Sequence, residues 1–276
     1  MVQGSKRNRK QQPLQLLEMK RGVLKWMIVA CFVGASSLNA LEIKNDLEAI
    51  NLAGSERMMS MKMLKDYILV AMNHHYRNPQ KDLQKTMKRF EETQSALDAY
   101  VKDPQIASRL KAVDQMWGKA KKMLESPAKK EEASKYFETM TALKNAANEA
   151  TVSLAKKSKH GTSQTVNMAG RLRAISQTLA ALYMLKTWAA DNSPDSMKKA
   201  MKNFRESLDF LKKESGNDPK VKKFLKNMEK NYLFFSMMED AGVFTPTLVI
   251  KRTDKMLEQA DELTRYLVKK QTKGGE

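Results

Sequence analysis

The chain has 276 residues with 29% charged and 7% aromatic side chains, 11 Gly, 7 Pro and a formal charge of +19, a composition that fits a helical globular protein with one large or two small cores. Its single cysteine, Cys31, lies in an N-terminal segment expected to be removed. Disulfides, thiolate zinc sites, cysteine nucleophiles and c-type haem attachment are thereby excluded from the remainder.

Residues 1–18 are basic and Gln-rich and precede a run that reads as a secretory signal peptide: basic Lys20-Arg21-Gly22-Val23-Leu24-Lys25, apolar residues 26–34, and the cleavage signal Leu38-Asn39-Ala40. Taken on to Leu38, the stretch from Trp26 is about 13 residues against the roughly 20 a spanning helix needs, which favours cleavage over retention as an anchor. A lipoprotein reading through Ile28-Val29-Ala30-Cys31 is weakened by the apolar residues that follow the cysteine. The expected address is periplasmic, membrane-anchored if the signal is retained. Without residues 1–40 the chain keeps 43 basic and 30 acidic residues, a balance of +13, so it stays basic. No later apolar run approaches spanning length, and no cytoplasmic output module is expected within the chain.

A first helix is predicted over residues 41–73, ending near His74-His75-Tyr76-Arg77-Asn78-Pro79, because Pro79 forces its predecessor out of helical geometry. A second follows over 80–100 and stops at Asp103-Pro104, an Asp cap with Pro at the first helical position. A third spans 105–124, and Ser126-Pro127 is expected to open a fourth that runs to about residue 158. Strand signals are nearly absent; the β-branched patch at 242–250 reads as a turn leading into a helix.

The second half repeats this plan. Lys85-Thr86-Met87-Lys88-Arg89-Phe90 answers Lys199-Ala200-Met201-Lys202-Asn203-Phe204, Asp103-Pro104 answers Asp218-Pro219, Leu154-Ala155-Lys156-Lys157 answers Leu267-Val268-Lys269-Lys270, and Thr245-Pro246 answers Ser126-Pro127. The expected fold is all-α, a tandem of two four-helix units over residues 41–160 and 161–276 behind a signal segment at 1–40. The join at His160-Gly161-Thr162-Ser163 allows two arrangements. A turn there lays the first helices of the two units side by side; a continuous helix stacks the units end to end.

The most informative repeated stretch is Ile50-Asn51-Leu52-Ala53-Gly54-Ser55-Glu56-Arg57-Met58-Met59-Ser60, which returns as Val166-Asn167-Met168-Ala169-Gly170-Arg171-Leu172-Arg173-Ala174-Ile175-Ser176. Residues 51–70 and 167–186 align without a gap and are identical at seven of twenty positions. Counting by threes and fours puts Arg57 with Ser60, and Arg173 with Ser176, on an a/d seam where Leu or Ile would be usual. No carboxylate lies three or four residues from either arginine. Burying an unpaired guanidinium is costly, so something anionic from another helix or from solution is expected to meet each one.

This motif resembles the P-box of NarX-type nitrate and nitrite sensors and the related N-terminal domain of type IV pili methyl-accepting chemotaxis transducers (PilJ-type). The resemblance implies a periplasmic helical bundle that binds a small oxyanion and signals by helix rearrangement to a membrane-bound partner. Carried over by position, Arg57 and Arg173 are the anion ligands, Gly54 and Gly170 allow close approach, Ser60 and Ser176 are nearby hydroxyls, and Asn51 and Asn167 complete the set. Ala174 and Ile175 depart from the two methionines of the first copy, and Arg171 adds a charge. Nitrate is planar and monovalent, and guanidinium forks can grip it with two donors. The rival reading is a structural or pilus-associated interaction protein whose arginines pair with carboxylates of neighbouring helices and fix register.

Among 20 methionines, Met58, Met59, Met61 and Met63 lie near His74-His75, a pattern that fits Cu(I) but more often fills a core; the second copy keeps none of the first three. His74, His75 and His160 are too scattered for a catalytic constellation, no nucleophile arrangement or phosphate loop stands out, and neither catalysis nor a cofactor is expected. Lysine runs such as Lys119-Ala120-Lys121-Lys122 and Lys198-Lys199 read as solvated faces, with peripheral contact to anionic lipid as a second role. Nucleic acid is disfavoured by the secreted address and by the scarcity of aromatics among the basic residues. Pairing of two chains as a homodimer stays open.

Overall fold

The structure is a computed structural model that describes Met1 and residues 41–189, 194–214, 216–241 and 245–273. The signal-peptide reading of residues 1–40, and the turn at 242–244, lie outside the described residues. Among the described residues there are eight α-helices, one 3-10 turn and no strand, as the all-α reading requires.

Helix α1 (Asp46–Ala71) opens on a reciprocal cap. Asn45 Oδ1 accepts the Glu48 N–H at 3.0 Å, and Glu48 Oε2 accepts the Lys44 N–H at 2.9 Å, which starts the helix at residue 46 rather than 41. It stops where Asn73 enters the left-handed region at φ 51°. The Asn73 and His74 amides then turn back to the Val70 and Leu69 carbonyls, each at 3.0 Å, closing a Schellman motif on one of the few residue types that tolerate that conformation. Helices α2 (Pro79–Tyr100) and α3 (Pro104–Leu124) start with proline behind Asn78 and Asp103 caps.

Helix α4 (Ala133–Lys157) begins well after Ser126-Pro127, behind the 3-10 turn Lys130–Glu132. A tyrosine without a counterpart in the second repeat accompanies the later start. The Tyr136 hydroxyl accepts the Lys129 N–H at 2.8 Å, where the second repeat has Val249, so this amide is used by a side chain instead of a helix. The second repeat has no such detour: Pro246 opens its last helix at once.

Helices α5 (Ser163–Ala189), α6 (Pro194–Glu214), α7 (Pro219–Ala241) and α8 (Pro246–Lys273) follow. The join is a turn. Helix α4 ends at Ser158 in extended geometry, and the Ser163 hydroxyl reaches the His160 carbonyl at 2.7 Å. Gly161 is not left-handed; the reversal is made by Ser158 and the residues after it.

This turn lays α1 against α5. Arg173 reaches the Asn51 carbonyl while Arg57 reaches the Asn167 carbonyl, which is possible only if the two helices run antiparallel. Both are buried nearly all round, as helices at the centre of a bundle must be. Helices α2 and α4 flank α1, and α3 rests on α4; α6 and α8 flank α5, and α7 rests on α8. Each repeat carries the same stacked aromatic pair, Phe90 on Trp117 and Phe204 on Tyr232. Each is also clamped at one end, where Asp103 or Asp218 caps a helix and pairs with Lys157 or Lys270. Leu41–Glu276 forms one compact unit.

Candidate anion site

Arg57 and Arg173 meet where α1 crosses α5, at 2% and 3% exposure. Gly54 and Gly170 make the room. A Cβ on Gly54 would lie 2.9 Å from Arg57 Nη2 and 3.5 Å from Arg173 Nη2; one on Gly170 would lie 3.1 Å from Arg173 Nη2 and 3.3 Å from Arg57 Nη2. Both guanidinium tips therefore occupy the space that two missing side chains leave, and each glycine serves both arginines.

The contacts are reciprocal, as in a two-fold interface, here within one chain. Arg57 Nη2 donates to the Asn167 carbonyl at 3.2 Å, and Arg173 Nη2 donates to the Asn51 carbonyl at 3.0 Å. Beyond this point the symmetry breaks. Arg57 Nη1 donates to two neutral amides, Asn148 Oδ1 at 3.0 Å and Asn167 Oδ1 at 2.9 Å. Arg173 Nη1 instead meets the Asp261 carboxylate at 3.0 Å. Asn148 on α4 and Asp261 on α8 are equivalent residues, each lying six positions before the Leu154 or Leu267 that opens the matched segments.

The electrostatic outcome differs accordingly. Burial, and next the charges of Arg173 and Arg171, bring the Arg57 pKa down to about 9. Burial also lowers Arg173, with Asp261 acting against it. Of the expected residues, Arg57, Arg173, both glycines and both asparagines come together. The serine hydroxyls turn away: Ser60 donates to the Glu56 carbonyl at 2.7 Å and Ser176 to the Arg173 carbonyl at 2.8 Å, each within its own helix. Asn51 Oδ1 and Arg173 Nε are buried without a hydrogen-bond partner. Met59, Met61 and Met63 are buried in the core.

Arg57 forms part of the wall of a cavity of about 300 Å³ between α4, α5 and α6. Lys144, Arg171 and Lys199 line it together with Thr141, Asn145, Asn148, Ser196 and Asn203, and among the described residues no carboxylate does. Among the described residues no acid lies within ion-pair distance of Arg57, Lys144, Arg171 or Lys199. Burial, Lys199 and Arg171 lower the Lys144 pKa, as a cluster of like charges must. Lys144 and Lys199 escaped the sequence reading. Lys199 sat in a lysine run taken as a solvated face, and the only available signal was that α4 and α6 carry cations on the sides that flank the motif helices.

Residues 40–143 match the family model described as type IV pili methyl-accepting chemotaxis transducer N-term (PilJ). This part of the first repeat is similar to PilJ-type domains. The match runs from just before α1 into α4 and includes Arg57; the second repeat is tied to it by the internal duplication. The matched family is one of chemotaxis-transducer sensor domains rather than a catalytic one. No curated protein and no solved structure matches the chain. Among the described residues, no helix is long and apolar enough to cross a membrane.

Proposed function

We propose that this protein is a periplasmic sensor module that binds a small oxyanion at Arg57, with nitrate and nitrite the first candidates, and passes occupancy to a membrane-bound partner through the packing of α1 on α5. One observation carries the reading: Arg57 is a buried guanidinium with only neutral hydrogen-bond partners, on the wall of a cavity lined by further cations. An anion there supplies the counter-charge that Asp261 supplies to Arg173. Because Arg57 is held by α4 and α5 from its place on α1, a ligand that draws on its donors biases how those helices sit. One chain then provides what a symmetric pair of subunits would otherwise provide.

Titration calorimetry of the purified protein with nitrate and nitrite, beside an Arg57→Ala variant, tests this. Heat with wild type that vanishes in the variant is expected; no heat with any small anion overturns the proposal. The Arg173–Asp261 pair favours the second reading, a structural or interaction protein whose motif arginines fix helix register. A rise in melting temperature with nitrate that chloride does not give separates the two.

A further inference from the structure

The cationic cavity has a counterpart where α8 of the second repeat meets α1 and α2 of the first. Extending the α4–α8 equivalence, Thr141, Asn145 and Asn148 on α4 answer Asp254, Glu258 and Asp261 on α8, while Lys144 answers Leu257. The residues fall at i, i+4 and i+7, so each set lies along one helix face and spans about 10 Å. Three neutral polar side chains on one helix replace three carboxylates on the other.

The α8 carboxylates are in use. Asp254 takes Lys65 Nζ at 3.2 Å and Arg77 Nη1 at 3.1 Å, and Asp261 takes Arg173 Nη1 at 3.0 Å. Glu258 and Asp254 line a smaller cavity of about 170 Å³ whose cations are Lys62, Lys65 and Arg77. That side of the bundle carries its own anions. The α4 side keeps the cations, adds Lys144 where α8 has a leucine, and among the described residues has no carboxylate on its walls.

We propose that the α4–α5–α6 cavity is the site of a compact organic di- or tricarboxylate, whose carboxylates take the places that Asp254, Glu258 and Asp261 hold in the second repeat. The proposal rests on the reading of Arg57 as an anion-binding residue and goes further by naming the ligand class. Size agrees with charge. A volume of about 300 Å³ is at the lower end of the range for organic-ligand sites and equals the share of about ten waters, which leaves a four-atom anion much room. Four cations also exceed what a single monovalent anion neutralises. Thr141, Asn145, Asn148 and Asn203 provide neutral donors that a carboxylate can use beside the cations.

The test is calorimetry of the full chain with citrate, succinate, sulfate and nitrate as separate probes. Citrate or succinate is expected to bind at least about tenfold more tightly than sulfate or nitrate, a difference of about 1.4 kcal/mol. Lys144→Met and Lys199→Gln should each weaken the carboxylate about tenfold or more, the scale of losing one charged partner, and weaken nitrate by clearly less. The double variant Asn145→Glu, Asn148→Asp, which gives α4 the α8 residues, should abolish carboxylate binding and melt higher than the wild type without ligand. Nitrate binding lost with Arg57→Ala, without tighter binding of citrate or succinate, overturns this inference and leaves the oxyanion reading standing. Sulfate as tight as both carboxylates overturns it too. No binding of any probe overturns both.

Discussion

Asn148 and Asp261 occupy equivalent positions on α4 and α8, and the exchange of an amide for a carboxylate decides which motif arginine has a counter-charge. The guanidinium-to-carbonyl contacts nearer the crossing are reciprocal: two glycines make room for two arginines, and each arginine reaches the other helix's asparagine carbonyl. A duplicated design has thus been made asymmetric by its outer ring, with one arginine satisfied internally and the other facing a cavity.

The two arginines should therefore respond oppositely to neutralisation. Arg57→Met removes a buried charge with no counter-ion; lowering its pKa from 12.5 to about 9 corresponds to a penalty on the order of 5 kcal/mol, partly offset by the amide bonds that are lost. Its melting temperature in ligand-free buffer should equal or exceed wild type, while anion-induced stabilisation disappears. Arg173→Met strands Asp261, which is partly exposed and keeps Arg265 at 3.2 Å, so a loss of about 1–2 kcal/mol is expected. The sign with pH follows. A base whose folded pKa is lowered costs stability while it stays charged, and the cost is relieved as pH rises through about 9. Anion binding should fade over the same interval, and calorimetry between pH 7 and 10 measures it.

The all-α class and the helix boundaries at Pro79, Pro104, Pro219 and Pro246 were legible in the sequence, because proline geometry is a local signal; that Arg57 and Arg173 meet beside Gly54 and Gly170 was not, because it depends on the turn at residues 158–163. The late start of α4 was not, since it goes with the Tyr136 hydroxyl holding the Lys129 amide where the second repeat has Val249. Nor was the division of labour between Arg57 and Arg173. Asn148 and Asp261 lie 91 and 88 residues from their arginines, and only packing reveals that an amide faces one and an acid the other.

Gly170→Ala separates the site from the fold. The new Cβ would sit 3.1 Å from Arg173 Nη2 and 3.3 Å from Arg57 Nη2, both at the ends of flexible side chains, so the guanidinium groups shift while the helices stay. Alanine in place of glycine favours a helix by up to about 1 kcal/mol. Melting should change little or rise slightly, and anion affinity should drop about tenfold or more, since geometry rather than charge is lost. Equal affinity in wild type and variant would show that the close approach of the glycines has no part in binding.

Glu56 is a separate liability in the first repeat. It is fully buried, neither carboxyl oxygen has a hydrogen-bond partner, and burial, then Asp114 on α3 and Asp98 on α2, push its pKa well up. A carboxyl with a raised folded pKa contributes its stability below the unfolded value, about 4.3, and loses it as pH rises toward the folded value. The second repeat has Leu172 at this position, also fully buried. Glu56→Leu should raise stability by about 2 kcal/mol at pH 8, roughly 4–8 °C in melting temperature, and by clearly less at pH 4.5. A gain that does not vary with pH would mean that Glu56 is not held protonated.

Asp261→Asn reverses the asymmetry and tests its cause. The substitution gives α8 the residue that α4 carries at Asn148 and leaves Arg173, at 3% exposure, with amide and carbonyl partners only. Breaking a buried charge pair from one side costs about 3–5 kcal/mol, less here because Asp261 is partly exposed, so a loss of about 2 kcal/mol is expected. The cost should be recoverable. If a missing counter-charge is what makes Arg57 receptive, the variant has two receptive guanidinium groups, and anion titration should raise its melting temperature more steeply than that of the wild type. Subsequent Arg173→Met should restore much of the lost stability and the shallower anion response, because it removes the charge that Asp261 balanced. A variant destabilised to the same extent with and without added anion would place the role of Asp261 in helix packing and not in charge.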